Sequence, residues 1–398
     1  LFAFMDVALD VKRFCISNKL KIIKCLGSGG FGKVYLMQHL TSKRFFALKA
    51  CSRLTKQDVF VNEIKMLKSL SGKCNIIRLL AVSRIRCRIL LLMDYFPYDS
   101  LSEILYSMDF EEIKMYIYNL LIALRYLHAN GIMHRDVKPA NFLYNRNIRK
   151  YALIDFGFAE HCSVKQMPKF AMPSMMQWSI SDHQCKCGIQ TVCNHCLKKR
   201  TAIAGNMGTR GYQSLEILIS VPHYTPAVDI WAAGIVFITL LSKTYPFWVP
   251  ENDLSAVGLM ISLFGTKNVH NALANLGYKL ISQPVYPSLD LRKVCQTMSW
   301  LSCGNSDNEE QQQLTVSCEK CAPAMRQFHK TKYCCFCRNE ELERKYPAGF
   351  RTLPFDLLRK MLDIDYQTRI TAELMTAKSS PSPTPHTVVG VAVSLRFY

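Results

Sequence analysis

The sequence predicts an α+β fold in which a small antiparallel β-rich lobe precedes a larger helical lobe. Three observations predict it: short β runs alternate with turns between residues 20 and 50, apolar residues take helical spacing after Pro97, and two long polar segments interrupt the helical part. The 398-residue chain is 49% hydrophobic and 20% charged, a globular composition that excludes wholesale disorder, collagen and coiled coil.

The elements follow in chain order from these patterns. They are predicted strands over residues 21–26, 34–37 and 45–49, a helix over 57–70, a buried strand over 89–93, and helices over 113–127, 228–241 and 357–362. We therefore divide the chain into an N-terminal extension (1–19), a small lobe (20–95), a large lobe (96–375) and a low-complexity tail (376–398).

Two segments of the large lobe, at about residues 161–204 and 283–348, are predicted to be insertions. Both are polar and bear cysteines, the second includes a disorder-like stretch, and a compact domain rarely needs connections of this length. We therefore predict that each insertion has a role of its own.

The chain is strongly basic, with 50 Lys and Arg against 30 Asp and Glu and a net charge of +20. A surplus of this size predicts polyanionic partners: nucleic acid, acidic lipid or an acidic protein substrate. The longest apolar run, residues 231–241, is far short of the roughly 20 residues that a membrane helix needs. Because Asp6 and Asp10 interrupt the apolar start, no signal peptide is predicted, and we expect no membrane partner.

A glycine-rich turn with the pattern G-x-G-x-x-G-x-V lies between the first two predicted strands. Without Cβ atoms, such a turn lets backbone N–H groups approach phosphate oxygens, although an ordinary glycine turn fits the pattern equally well. A position between two strands argues against a dinucleotide site, which needs a strand and a helix. The candidate nucleotide-binding residues of this turn are Gly27, Gly29, Gly32 and Val34.

A lysine on the next strand, in Ala47-Leu-Lys49, can contact the phosphates of a nucleotide. Glu63 on the following predicted helix can hold this lysine in place. A single Lys–Glu pair is more often a surface ion pair. The pair therefore indicates nucleotide binding only together with the motifs that follow.

The string His134-Arg-Asp-Val-Lys-Pro-Ala-Asn141 carries the strongest chemical signal. Asp136 can accept the proton of a substrate hydroxyl, and Lys138 can neutralise a phosphoryl group in transfer. Asn141 offers a hard oxygen ligand for Mg²⁺. Asp155, in the Asp-Phe-Gly string after a predicted strand, supplies the second metal ligand.

With these four motifs in this order, the chain resembles the eukaryotic protein kinase family over about residues 20–375. The resemblance implies a bilobal protein kinase fold with ATP and Mg²⁺ as cofactors. It implies a nucleotide hinge from Met93 to Tyr95, with Met93 as its gatekeeper. Lys138 resembles the serine/threonine branch of the family.

The resemblance also implies three structural residues in the large lobe. Asp229 resembles the residue of a buried helix that anchors the catalytic loop, and Glu216 with Arg369 resembles an ion pair that holds the lobe together. The usual Ala-Pro-Glu string is here Ser214-Leu-Glu216, which keeps the Glu and loses the Pro.

Within the kinases, the chain resembles the cell division cycle 7-related kinases. The matching strings are residues 134–144, 208–212, 240–247 and 290–295, together with the positions of both insertions. The resemblance implies a regulatory activator subunit of the Dbf type, phosphorylation of Ser or Thr in acidic contexts on the MCM replicative helicase, and a nuclear location.

One position departs from that family's pattern. The residue just after the aromatic of Gly-Thr-x-Gly-aromatic, usually an Arg that reads acidic residues beside the target serine, is here Gln213. Arg210 can substitute for it, or can be a solvated loop residue. Thr209 is predicted to bond the pair Asp136 and Lys138.

The 17 cysteines divide into clustered and scattered positions. With no secretory signal, metal binding is favoured over disulfides for the clusters, and four soft ligands suit structural tetrahedral Zn²⁺. One predicted zinc site comprises Cys185, Cys187, Cys193 and Cys196, and a second comprises Cys318, Cys321, Cys334 and Cys337. Exposed thiols on a loop are the alternative. Scattered cysteines such as Cys25, Cys51 and Cys87 are predicted to be buried.

Three hypotheses about function follow from these patterns. The first is an active serine/threonine kinase of the replication-initiation type, or of another kinase family. The second is a non-catalytic kinase-fold scaffold that binds a partner through zinc-bearing inserts. The third is a nucleic-acid binder, which is disfavoured because the basic residues are dispersed and no helix-turn-helix or zinc-finger pattern is present. We expect no direct sequence-specific nucleic-acid binding.

Overall fold

A computed structural model describes most of the chain. The described residues are 2–30, 32–52, 57–70, 72–86, 88–162, 208–221, 223–278, 280, 285–302 and 353–376. Most of both predicted insertions, with all eight predicted zinc ligands, and nearly all of the tail lie outside them. The chain divides into two compact units, Leu1–Glu103 with Met115–His161, and Ile104–Lys114 with Cys162–Tyr398. The predicted domain boundaries stay a prediction.

The first unit is built on a five-stranded antiparallel sheet, which confirms the predicted class of fold. Its strands are β1 (Leu20–Gly29), β2 (Gly32–His39), β3 (Phe45–Cys51), β4 (Leu79–Ile85) and β5 (Arg88–Asp94), in the spatial order β1-β2-β3-β5-β4. The sequence did not predict β4, which is an edge strand with an irregular register between Leu79 and Ala81.

A helix, α1 (Phe2–Ser17), covers one face of this sheet. Its residues Val11, Phe14 and Cys15 pack with Met37 and Leu48 in one buried cluster. The segment predicted as an extension is therefore part of the core of this unit. It was missed because Asp6, Asp10, Lys12 and Arg13 interrupt the apolar pattern of this segment.

Charged groups also join α1 to the sheet. Asp10 Oδ2 lies 3.2 Å from Arg88 Nε, and both side chains are almost fully buried. The Nη1 atom of Arg88 donates to the carbonyl oxygen of Cys51, the last residue of β3, at 2.8 Å. One guanidinium thus connects α1, β5 and the end of β3.

The other face of the sheet is covered by α2 (Gln57–Leu70), which has the predicted bounds. Phe60 of this helix is buried with Cys51 and Leu91 of the sheet, and Ile64 packs against them. Successive residues of β3 therefore bury their side chains on opposite faces, as the period of a strand requires.

The elements that follow β5 are α3 (Leu101–Ile104), a 3-10 turn (Leu105–Ser107), α4 (Phe110–Ala129), β6 (Ile132–Met133), a second 3-10 turn (Pro139–Asn141), β7 (Phe142–Asn145), β8 (Lys150–Leu153) and β9 (Glu160–His161). They belong to the first unit except for Ile104–Lys114, which contains the last residue of α3, the whole first 3-10 turn and the start of α4 and belongs to the second unit. β6 pairs with β9, and β7 pairs with β8 as a hairpin.

Aromatic rings fasten the β7–β8 hairpin to α4. Tyr144 and Tyr151 face each other across the hairpin and stack with ring centroids 4.8 Å apart. Tyr116 of α4 meets both rings edge-on, and its hydroxyl donates to the carbonyl oxygen of Phe142 at 3.0 Å. Edge-to-face and offset contacts of this kind stabilise a packed core.

The second unit is helical, as predicted. Its helices among the described residues are α5 (Leu215–Leu218), α6 (Ala227–Ser242), α7 (Asp253–Phe264), α8 (Thr266–Asn275), α9 (Leu291–Ser302), α10 (Leu353–Met361) and α11 (Ala372–Thr376). α6 is apolar on all sides, and nearly all of its residues are buried, as such a helix requires. α9 and α10 both pack against it.

α9 lies inside the segment 283–348 that is predicted to be an insertion. Leu291–Ser302 is a helix with buried Leu291, Val294, Cys295 and Met298, whereas the bounds of the insertion stay a prediction. These apolar positions have helical spacing, and the polar stretch that follows them obscured it.

The scattered cysteines are only partly buried. Cys51 is buried as predicted, Cys87 lies outside the described residues, and the prediction for Cys25 is wrong because this residue is exposed. Cys25 lies on the edge strand β1 next to a register irregularity. In the described part of the chain, no helix is long and apolar enough to span a membrane.

Candidate active site

A buried lysine at the centre of the sheet holds two carboxylates of the first unit. The Nζ atom of Lys49, in β3, lies 2.6 Å from Glu63 Oε1 of α2 and 2.9 Å from Asp155 Oδ1. Asp155 is 106 residues further along the chain. The sequence predicted the pairing with Glu63, and the structure adds Asp155 as a second partner.

The two ends of this network have shifted pKa values. Burial alone would lower the pKa of Lys49, but the adjacent carboxylates of Glu63 and Asp155 outweigh it and raise the pKa above its usual range. Burial alone would raise the pKa of Asp155, but the ammonium of Lys49 outweighs it and lowers the pKa. Both groups are therefore ionised at neutral pH.

A second group of polar side chains surrounds Asp136, which is buried. Its Oδ2 atom accepts from Lys138 Nζ at 2.8 Å and from Asn141 Nδ2 at 2.8 Å. Asn141 Nδ2 also donates to the backbone carbonyl oxygen of Asp136 at 2.9 Å. These contacts fix the orientation of the carboxylate in the loop between β6 and β7.

His134 connects this loop to the segment that carries Asp155. Its Nε2 lies 3.0 Å from the carbonyl oxygen of Ile154, and its Nδ1 accepts from the backbone N–H of Asp136 at 3.3 Å. These partners fit a neutral imidazole with its proton on Nε2. The ring also packs against the buried Phe156, with centroids 4.9 Å apart.

The glycines of the turn between β1 and β2 differ in what surrounds them. A Cβ atom at Gly27 or Gly29 would meet no atom within 4 Å, so the backbone there borders open space. Gly32 has a φ of +137°, and a Cβ atom there would overlap the carbonyl oxygen of Ala50. The first two glycines leave room for a ligand beside the chain, whereas Gly32 is required by the approach of β2 to β3.

The other predicted nucleotide-binding residues lie on neighbouring strands. Val34 of β2 is opposite Lys49 of β3, and Ala47 of β3 is opposite Met93 of β5. Tyr95 follows the end of β5 directly. The register thus brings Val34, Ala47 and Met93 together in the part of the sheet that carries Lys49.

The donor set fits a hard divalent cation and a nucleotide phosphate. The Asn141 amide nitrogen is used by Asp136, which leaves its carbonyl oxygen as the atom suited to a cation, and Asp155 supplies an ionised carboxylate. The ammonium of Lys49 and the open backbone at Gly29 suit phosphate oxygens. Among the described residues, no group of three or more His, Cys, Asp or Glu side chains is placed to hold a metal ion.

Other predicted residues lie in the second unit. Arg210 is exposed, and its Nη1 donates to the carbonyl oxygen of Glu251 at 2.8 Å. Gln213 and Asp229 are buried, with Asp229 in the first turn of α6. Thr209 is described, and its predicted contact with Asp136 and Lys138 stays a prediction. Glu216 and Arg369 form a buried ion pair.

Sequence reasoning missed two contacts of the segment after Asp155. Asn62 of α2 donates from Nδ2 to the carbonyl oxygen of Ala159 at 2.6 Å. Arg135 contacts Glu160, with 2.5 Å between Nη1 and Oε2. Neither Asn62 nor Glu160 lies in a recognisable sequence motif. Their contacts therefore could not be predicted from the sequence.

The sequence profile of the protein kinase domain matches residues 20–178 and 192–379. The chain therefore belongs to the protein kinase family. A protein kinase domain uses ATP and Mg²⁺, which agrees with the donor set described above.

Curated relatives narrow this family. A probable cell division control protein 7 homolog 2 of Encephalitozoon cuniculi is 32% identical over 263 residues, which cover 65% of this chain and 74% of the relative. The cell division cycle 7-related protein kinase of Mus musculus is 24% identical in an alignment that covers 92% of this chain and 91% of the relative. The non-specific serine/threonine protein kinase Cdc7 of Drosophila melanogaster is 23% identical over 87% of this chain and 72% of the relative. The chain is thus a serine/threonine kinase of the cell division cycle 7-related type.

Proposed function

We propose that this kinase transfers the γ-phosphoryl group of ATP to Ser or Thr hydroxyls in acidic contexts through the residues around Lys49, Asp136 and Asp155. The observation that carries the proposal is the buried network in which Lys49 holds both Glu63 and Asp155. Buried charges with opposed pKa shifts are typical of functional sites.

The nucleotide-binding part of the proposal rests on the sheet. Lys49, held by Glu63, contacts the α- and β-phosphates, while the backbone at Gly27 and Gly29 lies over them. Val34, Ala47 and Met93 surround the base, and Tyr95 continues the hinge. Gly32 contributes by shaping the turn, because its lack of a Cβ atom permits the approach of β2 to β3.

The metal-binding part rests on Asn141 and Asp155. We assign them as the Mg²⁺ ligands because one supplies an amide oxygen and the other an ionised carboxylate. When bound, Mg²⁺ neutralises charge on the phosphates and orients them. Ile154 N–H donates to the backbone carbonyl oxygen of Asn141 at 2.9 Å, which ties the two ligand segments together.

Asp136 and Lys138 complete the phosphoryl transfer. Asp136 orients the substrate hydroxyl and accepts its proton, and Lys138 stabilises negative charge on the phosphoryl group as it moves. Because Lys138 and Asn141 both hold Oδ2 of Asp136, the carboxylate is oriented before substrate binds. Such preorganisation lowers the cost of reaching the transition state.

The proposed substrates are acidic protein segments, among them subunits of the MCM replicative helicase. The net charge of +20 supports electrostatic attraction to such segments. With Gln213 buried at the position where the family usually has Arg, the exposed Arg210 is the residue we assign to the acidic side chain next to the target hydroxyl. Thr209 is assigned to the pair of Asp136 and Lys138.

The proposed partner is a regulatory activator subunit of the Dbf type, and the proposed location is the nucleus. The resemblance to the cell division cycle 7-related kinases supports both. Structural Zn²⁺ on the cysteine clusters at 185–196 and 318–337 is proposed to shape the insertions for this partner. Both clusters lie outside the described residues.

The scaffold hypothesis has less support, because the charged network is complete among the described residues. The test is transfer of the γ-phosphate from Mg-ATP to an acidic Ser-rich peptide, with and without a Dbf-type subunit. Asp136→Asn is the control, since it removes the proton acceptor and keeps the shape of the side chain. We expect transfer that needs both the subunit and Asp136.

Other outcomes of this assay change the conclusion in defined ways. Robust transfer without the subunit would keep the kinase and remove the activator from the proposal. Equal transfer by the wild type and by Asp136→Asn would refute the role of Asp136. Absence of transfer from a protein that still binds ATP and the subunit would favour the scaffold.

A further inference from the structure

One stretch of the first unit carries only positive charges. No Asp or Glu occurs between Asp10 and Asp58, although eleven Lys and Arg residues do. One of these, Lys49, belongs to the candidate active site, whereas seven others are exposed and have no role in the catalytic site proposed above. The exposed ones are Lys12, Arg13, Lys19, Lys21, Lys24, Lys43 and Arg44.

Backbone hydrogen bonds place the end of α1 beside the turn between β2 and β3. Leu40 N–H donates to the carbonyl oxygen of Lys19 at 2.8 Å. Within the turn, Lys43 N–H donates to the carbonyl oxygen of His39 at 2.9 Å. The Nε2 atom of Gln38 donates to the carbonyl oxygen of Lys43 at 3.2 Å, which fixes the turn further. The chain therefore holds Lys19 and Lys43 in one region of the surface.

Local backbone preference does not account for lysine at either position. Lys19 has a φ of +51° and Lys43 has a φ of +57°, in the left-handed region where Gly and Asn are favoured. Both side chains are exposed, so packing does not require a lysine either. What the two residues contribute to this surface is their charge.

Arg44 lies on the side of the sheet that α1 covers. Its guanidinium is 5.6 Å from the centre of the Phe46 ring, and Phe46 packs against the buried cluster of α1 and the sheet. A cation over an aromatic ring is attracted to the face of the ring, which holds the guanidinium in place. Arg44 therefore adds its charge on the same side of the sheet as the cations of α1.

Apolar side chains are exposed among these cations. Leu9 and Ile16 of α1 are 50% and 81% exposed, and Lys12 lies between them at the spacing of one helix face. Leu40 in the turn is 50% exposed. These residues and the nearby cations form one surface, the basic face. It comprises Leu9, Lys12, Arg13, Ile16, Lys19, Leu40, Lys43 and Arg44.

The mixed character of the basic face favours an acidic protein segment over other polyanions. Phosphates of a nucleic acid contact cations but leave apolar side chains uncovered, and the basic face has no aromatic residue on which a base could stack. A membrane-surface helix places its apolar side in the lipid, whereas α1 buries Val11 and Phe14 against the sheet. A protein segment with apolar residues between its carboxylates can cover Ile16 and Leu40 while it pairs with the cations.

We propose that the basic face is a docking surface for an acidic segment of the substrate protein, distinct from the segment that carries the target hydroxyl. The proposal rests on the proposed function, which gives this kinase acidic substrates. Carboxylates of the docked segment pair with the cations, and its apolar side chains cover Ile16 and Leu40. Docking of one segment raises the effective concentration of the other at the kinase, so it lowers KM and leaves kcat unchanged.

The test compares two peptides, with the activator subunit present wherever the wild type requires it. The short peptide is acidic and Ser-rich, and the long peptide adds Glu-Glu-Leu repeats through a glycine linker. In the full chain, Lys19→Glu with Lys43→Glu should raise KM for the long peptide by about tenfold, with kcat and KM for the short peptide within about twofold. Arg149→Glu with Lys150→Glu is the matched control, because both residues are exposed and the net charge changes equally.

The control should match the wild type, and an equal rise of KM in the control would overturn the proposal. So would a KM for the long peptide within twofold of the wild type in the Lys19 and Lys43 reversal. Lys19→Gln with Lys43→Gln, which removes charge without adding any, should give a smaller rise in the same direction. Unchanged thermal midpoints verify that the variants are folded, and the neutral pair decides the outcome if the reversal is not.

Fluorescence anisotropy of labelled Glu-Glu-Leu repeats tests docking without catalysis, on Asp136→Asn protein. If no preparation transfers phosphate, the proposed function fails, and binding that the Lys19 and Lys43 reversal weakens still supports the docking surface. Absence of binding would overturn the docking surface alone. A random-sequence DNA duplex and mixed phosphatidylserine–phosphatidylcholine vesicles are the competing polyanions. Tighter binding of either one than of the peptide, lost in the reversal, would assign the face to that partner and overturn the proposal.

Discussion

Arg369 binds Glu216 with both terminal nitrogens of its guanidinium: Nη1 lies 2.6 Å from Oε1 and Nη2 lies 3.2 Å from Oε2. Both side chains are almost fully buried, and the guanidinium lies 5.1 Å from the centre of the Trp231 ring. Nη1 also donates to the carbonyl oxygen of Ala227 at 2.9 Å. One side chain therefore joins α5, the start of α6 and the turn before α11.

We expect Glu216→Ala to destabilise the fold strongly. The change leaves the guanidinium of Arg369 buried without its carboxylate, which typically costs about 3–5 kcal/mol of unfolding free energy. Urea unfolding followed by fluorescence measures the loss. Glu111→Ala, which breaks an exposed pair, should cost less than about 1 kcal/mol. A similar cost for the two variants would contradict the structural role of the buried pair.

Asp10→Asn should show that α1 belongs to the fold. The variant keeps the size of the side chain and removes the charge opposite Arg88, so the buried guanidinium loses its counter-ion, at a cost of about 3–5 kcal/mol. Replacement of both residues by apolar ones, Asp10→Leu with Arg88→Met, should cost less than the single change, because no buried charge remains. The thermal midpoints of the three proteins measure the order. A single variant as stable as the wild type would contradict a stabilising role of the Asp10–Arg88 pair.

Two glycines of the turn between β1 and β2 should differ in their effects on stability and on ATP binding. Gly32→Ala should cost roughly 1–3 kcal/mol or more in stability, because the residue has a positive φ and its Cβ atom would overlap the chain of Ala50. Gly29→Ala should leave the thermal midpoint nearly unchanged, because its Cβ atom meets open space, and should raise KM for ATP. The result that speaks against this reading is loss of stability in Gly29→Ala with none in Gly32→Ala.

The stability that the Lys49–Asp155 pair contributes should depend on pH in a defined direction. The pKa of Asp155 is lowered in the folded state, so its contribution is present above the unfolded value of about 3.9 and is lost as pH falls through the lower folded value. The pKa of Lys49 is raised, so its contribution is lost only as pH rises above about 10.4. The difference in unfolding free energy between the wild type and Asp155→Asn should therefore be constant from pH 6 to 9 and should shrink in acid. A difference that changes between pH 6 and 9 would assign the titration to another group.

If the first cysteine cluster binds zinc, its loss should reduce turnover with the activator subunit. Cys193→Ser with Cys196→Ser should reduce the bound zinc measured by mass spectrometry by one ion per chain, because two of four thiolate ligands are lost. ATP binding should be unchanged, whereas turnover with the activator subunit should fall. Ser replacements at Cys25 and Cys74, which are exposed and unclustered, provide the control. Unchanged zinc content and turnover in the double variant would refute the zinc proposal.

Much of the first unit could be predicted from sequence because its signals are local. The bounds of α2 match the apolar spacing, and β1, β2 and β3 lie at the predicted β runs. α1 and β4 were missed for physical reasons. Charged residues interrupt the apolar pattern of α1, and β4 is an edge strand without a clear alternation of burial.

The residues of the candidate site could be named from motifs, but their contacts could not. The Lys49–Asp155 contact joins residues 106 positions apart, and no local pattern reports such a distance. Glu160 carries no motif, and its meaning depends on the pairing of β6 with β9. Arg210 was predicted to be either a substrate-binding residue or a solvated loop residue, and its exposure is compatible with both. Its hydrogen bond to the carbonyl oxygen of Glu251 could not be predicted from the sequence.

The β7–β8 hairpin sets a limit on how this kinase can diverge in evolution. Asn141, just before β7, and Asp155, just after β8, are the proposed metal ligands. The pairing of the two strands therefore sets how these ligands lie relative to each other. A residue inserted in one strand would turn the Tyr144 and Tyr151 rings to opposite faces and detach them from Tyr116. Length changes in this part of the chain should therefore accumulate only in the turn at residues 146–149, because an insertion there leaves the pairing of β7 with β8 unchanged.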